Sequence, residues 1–94
     1  FFDGDELREL LRSRIEKNLV YPPLARRRNI EGKVGCVLRI GGDGRLLQNN
    51  ISHSSGSAIL DRAALELFAG IFPLTEIRSD RTATVTISVE YRLK

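Results

Sequence analysis

"TATVTISVEYRLK", Thr82 to Lys94, is the last stretch of the chain. Val85, Ile87, Val89, Tyr91 and Leu93 fall on every second position, and Thr84, Thr86, Ser88, Glu90 and Arg92 fill the gaps. Strict alternation of this length is the period of a β-strand with one buried face and one wet face. Whether this strand lies inside a sheet or at its edge depends on the elements that precede it.

Working back, "AILDRAALELFAG" from Ala58 carries Leu60, Ala63, Ala64, Leu67, Phe68 and Ile71 on one helical stripe. Ser55 or Ser57 is placed to cap this helix, and Gly70 reads as its end signal. "FPLTEIRSDR" is expected to be a connecting loop. Before the helix, "KVGCVLRI" alternates Val34, Cys36, Leu38 and Ile40 as a strand that is fairly apolar on both faces. "GGDG", Gly41 to Gly44, is a tight reversal in which glycine and aspartate supply positive φ. "RLLQNNISH" returns as a weaker strand, with Leu47 and Ile51 inward and Asn49 between them, so a bulge near the turn is expected to reset the register. At the start, residues 1–20 read as a helix with Asp3 and Glu6 as a capping box and Leu7, Leu10, Leu11 and Ile15 as its apolar stripe. Pro22 and Pro23 end it, and Pro23 can open a short second helix through about Arg28.

Helix, hairpin, helix, strand makes a small α+β domain. A right-handed crossover from the second strand to the third leaves room for the first between them. The expected architecture is a three-stranded antiparallel sheet of order 2-1-3 with helices on one face. The closing strand is then an edge strand. Its vacant N–H and C=O groups are the kind of surface that takes an extended peptide. Glu90 and Arg92 are charges of the sort that guard an edge against indiscriminate pairing.

Ninety-four residues, 41% apolar and 29% charged, suit one globular domain over residues 1–94. With no methionine, the sequence is expected to be a piece of a longer protein, with any membrane anchor upstream. Cys36 is the one cysteine and His53 the one histidine, so neither a disulfide nor a metal site is expected. Cys36 reads as a small buried hydrophobe. His53, Ser54 and Ser55 are adjacent, but no orienting carboxylate is evident, and Asp61 and Glu66 read as solvated charges. Arg26, Arg27 and Arg28 form a basic run without interleaved aromatics, so no nucleic-acid partner is expected. Nothing argues for an enzyme or a cofactor. The residues favour a binding module that uses its last strand.

"YP" at Tyr21 and Pro22, "EGKV" at Glu31 to Val34, "DGR" at Asp43 to Arg45, "SSG" at Ser54 to Gly56 and "LDRAAL" at Leu60 to Leu65 follow one another in a characteristic order. This set resembles the C-terminal domain of TonB energy transducers over roughly Tyr21 to Leu93. Residues 1–20 form a helical extension outside the common motif. The resemblance implies a periplasmic domain tethered to the inner membrane by an upstream anchor and driven by ExbB–ExbD. It also implies a grip on the TonB box of outer-membrane receptors for siderophores, haem or cobalamin. The box would add as a strand along Val85, Thr86, Ile87, Ser88, Val89, Glu90 and Tyr91. The family often carries a glutamine where Asn18 stands, so Asn18, Tyr21 and Pro22 are implied as neighbours of the box. A TolA-like or secretion-linked paralogue with another periplasmic partner is the alternative, suggested by the N-terminal helix. The free edge predicts a monomer that can dimerise by strand swapping. Proline at Ile87 or Val89 is expected to abolish peptide binding while costing only part of the fold.

Overall fold

The computed structural model describes residues 4–93. The elements are α1 (Gly4–Asn18), α2 (Pro23–Arg27), β1 (Gly32–Ile40), β2 (Leu46–His53), α3 (Ala58–Ile71) and β3 (Ala83–Tyr91). The strands form one sheet in the order β2-β1-β3, with both pairings antiparallel. Asp3, expected as the cap of α1, lies outside the described residues.

The apolar alternations become the core. Val34, Cys36, Leu38 and Ile40 of β1 and Val85, Ile87, Val89 and Tyr91 of β3 are buried together under Leu7 and Leu11 of α1 and Leu60, Ala64, Phe68 and Ile71 of α3. The residues between them on β3, Thr84, Thr86, Ser88 and Glu90, are exposed on the far face. Burial pushes the Cys36 thiol up to about 11, with the nearby Asp61 charge adding to the effect. Burial likewise takes the Tyr91 hydroxyl to about 12.

The hairpin turn differs in detail from the expectation. Of its residues, only Gly44 has positive φ, at +88°. Asp43 instead accepts a hydrogen bond from the Arg45 N–H at 3.1 Å. Gly42 is needed for closeness: a Cβ there would stand 2.1 Å from Ser79 O. Two main-chain bonds, Leu74 N–H to Gly44 O at 2.8 Å and Ser79 N–H to Gly42 O at 2.9 Å, moor the 72–82 loop to the turn.

β2 carries two register shifts, the expected one near the turn and a second near Ser52. The first corrects the inward set. Ile40 pairs with Leu46 and Arg39 with Gln48, which leaves Leu47 as the extra residue, 50% exposed. Leu46, Asn49 and Ile51 face the helices instead. Asn49 Nδ2 donates to Leu65 O of α3 at 3.0 Å, while its buried Oδ1 has no partner.

Helix ends follow the local chemistry. Ser57 is the N-cap of α3 and accepts from the Leu60 N–H. Gly70 does not end α3, which runs on to Ile71. The stop is Pro73, which disfavours helical backbone in the residue before it, and Phe72 is accordingly extended. α2 starts at Pro23 as expected and closes through Asn29 at φ 55°, with the Ile30 N–H returning to Ala25 O at 2.9 Å.

Candidate functional site

β3 pairs with β1 without a register shift, from Gly32 opposite Tyr91 to Ile40 opposite Ala83. Its other flank carries no strand among the described residues. Two hydrogen bonds reveal which main-chain groups face that flank. Arg8 Nη1 on α1 donates to Thr86 O at 3.0 Å, so the Thr86 carbonyl points away from β1. The Leu93 N–H donates to Glu31 Oε2, beside the start of β1, at 2.6 Å. In an antiparallel ladder each residue's N–H and C=O share one side, and successive residues alternate. Thr84, Thr86, Ser88 and Glu90 therefore turn their main-chain groups outward. Val85, Ile87, Val89 and Tyr91 turn theirs toward β1.

This parity corrects the proline expectation. The N–H groups of Ile87 and Val89 belong to the β1 ladder, so proline there breaks the sheet itself. The positions whose N–H a guest strand would use are Thr86 and Ser88.

α1 runs beside the vacant flank. Leu7 and Leu11 bury its inner stripe, and Arg14 pairs with Glu76 to hold its far side. Arg8, Arg12, Ile15 and Glu16 form one wall of a groove of about 320 Å³ whose other wall is Lys33 and Thr86 to Ser88. On α1, sequence reasoning placed only Asn18, at the helix end, beside the box, and none of the α1 residues that line this groove. The available signal was the i, i+4 pair Arg8 and Arg12, one step from the buried Leu7 and Leu11.

The remaining expected site residues, Asn18, Tyr21 and Pro22, do not line this groove. Asn18 Nδ2 donates back to Arg14 O at 2.8 Å. Asn18, Val20 and Pro22 instead line a groove of about 830 Å³ against Ile59, Ala63 and Leu67 of α3. Tyr21 connects the two areas: its ring meets Tyr91 edge-on at 5.6 Å, its hydroxyl donates to Ile30 O, and Arg26 stacks on it at 5.7 Å. Pro22 precedes the first turn of α2.

Asp61 is no idle surface charge. It accepts from the Ser54 hydroxyl, from the Ser55 N–H at 2.9 Å and from the Ser55 hydroxyl at 2.7 Å. Burial works to raise its pKa, but these bonds and the His53 charge outweigh it and hold the carboxyl below its usual range. Both serines point at the carboxylate itself, which makes a loop clasp rather than a nucleophile with a base. Among the described residues no cluster of ligands suits a metal ion, and no helix is long and apolar enough to cross a membrane.

Residues 17–93 match the family model described as Gram-negative bacterial TonB protein C-terminal. The chain is 33% identical over 86 residues to Protein TonB of Pasteurella multocida, covering 92% of this chain and 34% of that protein. It is 37% identical over 59 residues to Protein TonB of Haemophilus influenzae, covering 63% of this chain and 22% of that protein. The chain thus spans about a third or less of the relatives' length. Its fold superposes on the solution structure of the Helicobacter pylori TonB C-terminal domain, residues 179–285, with a TM-score of 0.81 and 29% identity, covering 98% of this chain and 85% of that one. A shorter form of that domain, residues 194–285, gives 0.72 and 29%, covering 95% and 96%.

Proposed function

We propose, since this chain belongs to the family of Gram-negative bacterial TonB C-terminal domains, that it is the non-enzymatic periplasmic end of an energy transducer. It takes the TonB box of an outer-membrane receptor as an added strand on the vacant flank of β3. ExbB–ExbD, reached through segments upstream of this chain, supplies the force, and siderophores, haem or cobalamin are the cargo of the receptors it serves. The observation that carries this reading is the outward row of main-chain groups at Thr84, Thr86, Ser88 and Glu90, deduced from the Arg8 and Leu93 hydrogen bonds.

Strand addition fits such work physically. Each main-chain bond adds about 0.5–1.5 kcal/mol net, so a few of them give a modest, reversible grip. Recognition through the backbone tolerates varied peptide sequences. A pull along the strand direction loads the bonds together in shear rather than one after another. The free domain is then a monomer, with a strand-swapped dimer reachable at high concentration.

The alternative of a TolA-like or secretion-linked module drew on the N-terminal helix. A TonB domain that covers 98% of this chain reaches into α1. The helix therefore gives no ground for preferring that reading.

The test is titration of the chain with TonB-box peptides while backbone amide shifts are followed. Shifts centred on Thr84, Thr86, Ser88 and Glu90 are expected. Shifts confined to the α2–α3 groove, with β3 unmoved, would refute the reading.

A further inference from the structure

We propose that α1 makes the β3 edge selective: Arg8, with Arg12 beside it, recognises a carboxylate on the incoming strand, so the flank takes acidic extended peptides over neutral ones. The inference rests on the strand-addition reading above.

The geometry starts from the Arg8 bond. A guanidinium 3.0 Å from Thr86 O stands where the main chain of a guest strand would lie, since paired strands run about 4.8 Å apart. The guest's N–H takes over Thr86 O, and Arg8 is displaced from it. The displaced fork carries five donors and no acceptor. It remains tethered to α1 beside the guest, and a carboxylate is the group that satisfies it bidentately.

The charge of the groove points the same way. Arg8, Arg12 and Lys33 line it against one carboxylate, Glu16. Arg12 has Glu9 at 3.9 Å and Lys33 lies across the ladder from Glu90, which offsets those two cations in part. The hydrogen bond of Arg8, by contrast, goes to a neutral carbonyl. Arg8 therefore gains most from a guest carboxylate, and Ile15 supplies an apolar surface for the guest's other side chains.

The experiment uses two Val- and Thr-rich extended peptides that differ only by Glu against Gln, titrated into the chain at low and high salt. The wild type is expected to favour the Glu peptide about 3-fold at low salt, the scale of an exposed ion pair, and to lose the preference at high salt. In the double variant Arg8→Gln, Arg12→Gln the ratio falls to about 1 on the same scale, while Arg8→Lys keeps part of it. Both residues are exposed, and circular dichroism checks that α1 persists. A wild-type ratio near 1, or a preference that survives the double substitution, overturns the proposal. If the wild type binds neither peptide at either salt, strand addition itself fails, an outcome distinct from a lost ratio.

Discussion

β2 and β3 are both edge strands, yet only one has the form of a docking surface. β3 keeps register with β1 over its whole length. β2 breaks register twice, and each bulge twists the strand and interrupts the even row of outward groups that a guest needs. β2 is further committed through Asn49, whose amide is tied to Leu65 O of α3. An edge is thus protected by irregularity on one side of the sheet. On the other it is left regular and guarded by a helix that supplies side chains alone. Exposure by itself does not mark a binding edge; an unbroken ladder does.

The largest effect that tests this contrast comes from proline. Thr86→Pro or Ser88→Pro removes an outward N–H and is expected to abolish TonB-box binding while the fold survives. Ile87→Pro removes a ladder bond to β1 and is expected to lower the stability of the whole domain. Peptide titration alongside urea denaturation separates the two classes. Equal loss of stability at Thr86 and Ile87 would mean that the parity assigned to β3 is wrong.

Alkali gives the next effect, because two buried groups of the β1–β3 half have raised pKa values. Cys36 and Tyr91 both have their folded pKa values raised, to about 11 and about 12. Each unfolded group loses its proton at a lower pH than the folded one, so the native state binds more protons in that window. Stability is full below about pH 9, the ordinary value of the thiol, and declines as pH rises toward 11. Urea midpoints from pH 8 upward measure the decline, and Cys36→Val should reduce it. A midpoint that holds through pH 11 would contradict the raised values.

On β2, Asn49→Ala removes the bond to Leu65 O at an expected cost of about 1 kcal/mol, with peptide affinity unchanged. Asn49→Leu removes both the bond and the unpartnered buried Oδ1, and should be neutral or mildly stabilising. Thermal melts with parallel titrations test both variants. The smallest effect is expected from replacing Glu90 and Arg92 by valine. Their exposed ion pair at 3.1 Å contributes little to folding. Its loss makes the β3 edge stickier, and sedimentation should show more dimer at high concentration.

How much of this could be read in advance varied with the kind of information involved. Val85, Ile87, Val89 and Tyr91 announce β3 because side-chain alternation is local. The sheet order followed from element order and chain connectivity. The parity of the β3 main chain was not legible, because it depends on how β1 registers against it, and side chains alone do not encode which carbonyls face out. The same limit hid the exposure of Leu47, where a bulge outvoted the alternation. Gly70 was misread because a helix stop written by Pro73 lies three residues further on. Asp61 looked solvated because its partners, Ser54 and Ser55, approach it only once the loop folds back on α3. Asn18 matched a family position by spacing, yet the packing of α1 and α2 sets it beside α3.

The mooring of the 72–82 loop to the hairpin turn has a mechanical consequence. Leu74 and Ser79 tie the stretch just ahead of β3 to Gly44 and Gly42 through the main chain. Tension drawn along β3 toward its C-terminal end is therefore shared with the hairpin tip instead of unzipping the strand from its root. A bulkier residue at Gly44 would strike Leu74 O at 2.0 Å and loosen that tie. Under single-molecule stretching, Gly44→Ala should yield at lower force than its loss of equilibrium stability accounts for, marking the turn as a strain relief for β3.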